Sequence, residues 1–264
     1  VTLNLAIITV CLWSLIASSA VAAQRVVSLD QCADQYVLAL SPKTEIVSLS
    51  PRARAPDSYM RLAASGAPLH RASTETVLAE RPSVVVRSWG GGGLSAVLKR
   101  RGVRVVQITE ADNFDDVRRN IRKVAASLGQ TAKGEALVGR MDADLADARG
   151  AWRGQEALYL TSGGFTAGRG TLIDAMMRAA GMKNATTFSG FGDVKVETLI
   201  LHPPKVVVLG FFEPDRLSPW APGRSGAMRR LIGYRPTIEL PASTLGCSGW
   251  FSADGVRRLA AAAP

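Results

Sequence analysis

Two segments of this chain are near-copies of one another. Residues 75–86 read ETVLAERPSVVV and residues 197–208 read ETLILHPPKVVV. Each opens on Glu-Thr, runs through an apolar stretch, meets a proline seven residues after the Glu, and ends in three valines. Solenoid repeats recur at about 20–50 residues, and this repeat is far longer. Its length predicts two similar lobes, each near the lower end of domain size. Two lobes make a cleft, and clefts between lobes hold small ligands.

Around the copies, strand-like runs alternate with helical stretches. Strands are expected at residues 25–29, 45–49, 84–87, 103–108, 157–160, 206–209 and 237–240. Helices are expected at 31–40, 94–101, 114–128, 131–149, 171–180, 225–232 and 253–262. Phe114, Val117, Ile121, Val124 and Leu128 step by threes and fours, one face of an amphipathic helix. Gly181 suits the left-handed position that closes a helix. Alternation of this kind gives an α/β chain with mainly parallel sheets. Residues 24–130 are expected to form an N-terminal lobe, 131–152 a connecting helix and 153–264 a C-terminal lobe. The connection lacks Pro/Gly/Ser linker composition, which predicts a stiff hinge.

The first 23 residues carry no charged side chain, and an apolar run leads to Ala20-Val21-Ala22-Ala23. This reads as a secretory signal cut after Ala22 or Ala23, although no Lys or Arg precedes the apolar core. An uncleaved anchor is the alternative, for which the run is marginal in length. Cys11 lacks the small residues expected before a lipid-modified cysteine. The formal net charge is +10, with basic residues scattered and no nucleic-acid motif beside them. A solvated surface accounts for that charge, and attraction to an anionic ligand or membrane is the functional alternative. After signal removal Cys32 and Cys247 remain. They are expected as two partly buried free thiols, with a disulfide open to them in an oxidising compartment.

The strand 25–29, the segment from Glu75 through Trp89-Gly90-Gly91, the run Phe165-Thr166-Ala167-Gly168 and the second Glu-Thr segment occur in the order of a known family. Across residues 24–264 the chain resembles the class III periplasmic substrate-binding proteins, which serve ABC uptake of iron-siderophores, haem and cobalamin. The resemblance implies two Rossmann-like lobes joined by one long helix, with the ligand between them. It implies a dimeric ABC permease as the partner, and a monomer is expected; the residues themselves point to no nucleic-acid partner and to no catalytic or resident metal site. The resemblance also implies that Glu75 and Glu197 dock into arginine pockets, one on each permease subunit. Each Glu falls in the first turn of an expected helix, where the helix dipole favours negative charge. Ser73 or Thr74 is expected to cap the first of these helices.

In α/β sheets, ligands sit beyond the carboxyl ends of strands. That rule nominates Asp30, Gln31 and Cys32, then Arg52 and Arg54, then Arg87, Ser88 and Trp89. In the second half it nominates Phe165, Phe211, Phe212, Trp250 and Phe251. Tyr59, Trp220 and Arg224 lie in loops that could reach the cleft. Aromatics with arginines suit a large flat or anionic metal chelate. Cobalamin-binding members carry an acid before the Trp-Phe pair near the C-terminus and an arginine shortly after. Here Gly249 and Ser252-Ala253 flank Trp250-Phe251. Haem-binding members often use a Tyr or His ligand, for which Tyr59, His70 and His202 are available. The arginine-rich set favours a ferric siderophore, with cobalamin and haem as alternatives.

Other chemistries lack their signatures. The run of glycines at 90–93 has no Gly-Lys-Ser/Thr ending and no dinucleotide spacing. No G-x-S-x-G elbow is present. An exported α/β enzyme of unknown reaction, or a sensor for a membrane receptor, are the rival classes.

Overall fold

A computed structural model describes residues 23–89, 92–211, 226, 230 and 233–264. The expected signal segment, the bulk of the expected helix at 225–232, and Phe212, Trp220 and Arg224 lie outside the described residues.

The strands of the first lobe are β1 (Val26–Ser28), β2 (Ile46–Ser48), β3 (Val84–Arg87) and β4 (Arg104–Gln107). They form one parallel sheet in the order β2-β1-β3-β4. The second lobe has β5 (Glu156–Thr161), β7 (Lys183–Asn184), β9 (Val206–Gly210) and β10 (Thr237–Leu240). Its parallel sheet has the order β10-β9-β5-β7. Read from its other edge, this is the same arrangement. The valine runs of the two repeats, β3 and β9, hold equivalent inner positions. A small antiparallel ribbon joins β6 (Phe165–Ala167) to β8 (Phe191–Asp193).

Helices cover both faces of each sheet, as parallel sheets require. Those of the first lobe are α1 (Gln31–Leu40), α2 (Thr74–Ala79), α3 (Gly92–Arg100) and α4 (Phe114–Ser127). Successive strand side chains point to opposite faces. Val27 and Val85 therefore pack outward with Val77 of α2 and Leu98 of α3. Val26, Val84 and Val86 face inward with Tyr36, Leu40, Val117 and Ile121 of α1 and α4. In the second lobe α6 (Leu172–Ala179) and α9 (Ser252–Ala261) share the inner core, whereas α7 (Val196–Leu201) puts Leu199 against the outer face. A short helix, α8 (Ala242–Leu245), precedes α9.

The long helix α5 (Thr131–Asp147) joins the lobes. At 1.5 Å per residue it is about 26 Å long. Its approach to α4 depends on Gly134, where an added Cβ would lie 2.5 Å from the Ala125 Cβ. Arg118–Asp142 at 2.6 Å and Arg122–Glu135 at 2.8 Å run along this seam. Such solvent-facing pairs are each worth about 0–1 kcal/mol, so apolar packing holds the helices together. Leu137, Val138 and Met141 of α5 join core residues of both lobes in one continuous cluster. The turn after α5 is fastened by Trp152, whose indole N–H donates to the Leu259 carbonyl at 2.7 Å. Gly181 closes α6 at φ +83°, and an added Cβ there would lie 2.6 Å from the Gly150 α-carbon.

The expectation of free thiols at Cys32 and Cys247 is corrected by a disulfide between them. They are 215 residues apart, on the first turn of α1 and in the turn between α8 and α9. Packing of the lobes brings their α-carbons to 5.3 Å, inside the range a disulfide spans. Spacing along the chain carries no trace of that approach.

Candidate functional site

A cleft of about 420 Å³ lies between the lobes. Pockets of roughly 300–1,000 Å³ hold small ligands and cofactors. The first lobe contributes Cys32, Ser88 and Trp89, with residues 108–112 that follow β4. The second contributes Leu172, Ile173 and Met176 of α6, Phe191 of the ribbon, and the turn around Cys247. The walls thus mix apolar side chains with hydroxyl-bearing ones and two carboxylates, and the Cys32–Cys247 bridge crosses between them.

Trp89 is the most exposed aromatic of the first lobe, at 65%. The backbone beneath it is held from several sides. Asp30 caps α1 by accepting from the Ala33 N–H at 3.0 Å. The same carboxylate accepts from the Ser88 N–H at 2.7 Å and from the Ser88 hydroxyl. Arg87, 3% exposed, donates to the Trp89 carbonyl and to Ser95 Oγ at 2.6 Å. Gln107 donates to the Ser88 carbonyl. Asp30 and Arg87 therefore brace the turn that presents the indole.

On the opposite wall Phe191 is 66% exposed. Its ribbon pairs Phe165 with Asp193 and Ala167 with Phe191, so both phenylalanines stand on one face. Gly192 leaves room for Phe188, whose ring would lie 3.0 Å from a Cβ added there. Phe211 follows β9 with φ +56°, a left-handed conformation uncommon for a residue with a side chain. The charged side chains of the described lining are Glu110 and Asp112, on a chain with net charge +10.

Several nominated residues stand elsewhere. Gln31 is 7% exposed and its side-chain oxygen accepts from Arg52 Nε at 2.6 Å. Arg52 also pairs with Asp57 at 2.6 Å. Arg54 ties its loop together through the Ala64 and Ala67 carbonyls. Tyr59, Trp250 and Phe251 belong to a seam between the lobes. Tyr59 stacks on Phe251 at 4.7 Å, and Trp250 meets Tyr36 edge-on at 5.4 Å. Phe251 is 1% exposed. The Tyr59 hydroxyl donates to Asp254, and burial, then that carboxylate, push its pKa well above the ordinary value. His70 faces Glu80, and His202 is exposed beyond the end of α7.

The two repeat acids are matched. Glu75 and Glu197 each hold the second position of a six-residue helix on the outer face of their sheet, and both are exposed. Ser73 caps α2 by accepting from the Thr76 N–H at 3.1 Å. The Glu75 carboxyl is held below its ordinary pKa by its own backbone N–H and then by Ser73.

The segment 108–112 and Phe191 were not nominated from the sequence. The first follows the carboxyl end of β4, where the strand-end rule places ligands. Among the described residues no cluster of three or more His, Cys, Asp and Glu side chains is placed to hold a metal ion. No helix among them is long and apolar enough to cross a membrane.

A profile of the periplasmic binding protein family matches residues 26–212. No curated protein matches the chain. Among solved structures it is similar to the periplasmic haem-binding protein BhuT in complex with two haems. That match has 27% identity and a TM-score of 0.69 over 91% of this chain and 99% of that one. The apo periplasmic haem-binding protein RhuT from Roseiflexus sp. RS-1 has 24% identity and a TM-score of 0.70, over 91% and 97%. The periplasmic vitamin B12 binding protein BtuF of Vibrio cholerae has 16% identity and a TM-score of 0.66, over 91% and 96%.

Proposed function

The chain belongs to the periplasmic binding protein family, and on that premise we propose that it is an exported receptor for a metal chelate. It holds the chelate between its lobes and delivers it to an ABC permease, which it meets through Glu75 and Glu197. The observation that carries this reading is the inter-lobe cleft lined by two exposed aromatics, Trp89 and Phe191, one on each lobe. Flat or bulky chelates present apolar faces that such rings cover.

The side chains around the cleft refine the ligand class. An anionic siderophore calls for arginines, and among the described residues Arg52 pairs with Asp57, Arg54 ties its own loop together and Arg87 lies beneath the Trp89 turn. Tyr59 keeps its proton and spends its hydroxyl on Asp254. The ligand that fits is a chelate that brings all of its metal's donor atoms with it. A corrinoid or a ferric siderophore of low negative charge satisfies this better than haem held by an axial Tyr or His.

Titration of the mature protein by tryptophan quenching with cobalamin, ferric siderophores and haemin tests the proposal. Saturable binding of one chelate at micromolar strength or tighter, about −8 kcal/mol, is expected. Failure of all three to bind would overturn it. Haemin binding with the absorption spectrum of an axial Tyr or His ligand would overturn the refinement alone.

A further inference from the structure

The lobes of this protein are covalently joined at two places. One joint is the helix α5 with the turn that Trp152 fastens to α9. The other is the Cys32–Cys247 bridge, which ties the first turn of α1 to the turn between α8 and α9. Both cysteines line the cleft. Behind them, away from the cleft lining, Phe251, Tyr59 and Trp250 pack against the bridge. The Tyr36 hydroxyl crosses the same seam to the Ser248 carbonyl at 2.8 Å.

We propose that the Cys32–Cys247 bridge is a working part of the binding site: it forms floor on which the ligand rests and fixes the distance between the two walls. Beside the packed seam, a second covalent joint restricts relative rotation of the lobes further than the helix alone. The bridge stands between the Trp89 wall and the α6 wall, so a small rotation about α5 would be felt there first. With the bridge closed, the empty cleft already has its bound width, and little ordering is left for the ligand to offset. The inference rests on the proposed cleft for its floor, but its claim about aperture stands without any ligand.

The test compares the oxidised protein with Cys32→Ala/Cys247→Ala and Cys32→Ser/Cys247→Ser variants by small-angle X-ray scattering without ligand, well below the melting temperature. Circular dichroism checks that the variants keep their fold. The expected result is a larger radius of gyration and a broader distance distribution in the variants, with chelate affinity at least about tenfold weaker. The native protein treated with a phosphine reductant in its folded state serves as the third sample, should either variant fail to fold. Identical scattering from oxidised and bridge-free protein would overturn the aperture claim, whether or not a ligand has been found. A bound chelate that leaves the rate of bridge reduction unchanged would overturn the floor.

Discussion

The Asp30 carboxylate accepts the backbone N–H of Ser88 at 2.7 Å, across 58 positions of sequence. The same side chain starts α1 through the Ala33 N–H. One acid therefore sets both a helix start and the turn beneath Trp89. Two substitutions separate these roles. Trp89→Ala removes a side chain that is 65% exposed, so chelate affinity falls at least about tenfold, roughly 1.4 kcal/mol, with the urea midpoint unchanged. Asp30→Ala removes a cap worth about 1 kcal/mol and takes the acceptor from the half-buried Ser88 donors. It lowers both the midpoint and the affinity. Equal quenching titrations for wild type and Trp89→Ala would remove this residue from the site.

Asp34 is fully buried on α1, with Ser50 donating to it from its backbone N–H at 2.9 Å and its hydroxyl at 2.6 Å. Burial raises its pKa from 3.8 to about 6, against the pull of those Ser50 bonds. The folded state thus binds this proton more tightly than the unfolded chain does. Its contribution to stability is greatest below pH 3.8, declines as pH rises to about 6, and stays low above that. Asp34→Asn keeps an acceptor for the Ser50 N–H, reverses the contact to the Ser50 hydroxyl so that the amide nitrogen donates, and removes the charge. It is expected to stabilise the protein at pH 7.5 by about 1–3 kcal/mol, with the gain vanishing near pH 4. Urea unfolding at the two pH values measures this, and a gain of equal size at both would contradict it.

Glu75 and Glu197 occupy the same position of matched helices, exposed on the outer faces of their lobes. Replacing both by Ala is expected to abolish uptake in cells while the chelate dissociation constant stays within about twofold. Single replacements should give intermediate uptake. If the acids only favour their helix starts, a few tenths of a kcal/mol each, the double variant would melt slightly earlier and transport normally.

Much of the fold could be read from residue order. The boundaries of α1, β3 and β10 agree with expectation because each is bounded by a cap, a proline or a change of hydrophobic period. The ribbon of β6 and β8 was missed, since three residues per strand are too few to show alternation. The site was less legible. The strand-end rule nominates Trp89 and also Trp250 and Phe251, because position after a strand does not distinguish a ring at the cleft from one sealing two lobes together. The pairing of Cys32 with Cys247 depends on how the lobes dock, a property of the whole chain.

The apolar interior that runs unbroken through α5 from one sheet to the other has a consequence for how such a molecule can be divided. Cut after α5, the chain would yield two pieces, each with a raw oily flank where its sibling had been. Neither half is a transferable module. Grafting one onto a relative would succeed only if the buried residues of α5 travelled with it.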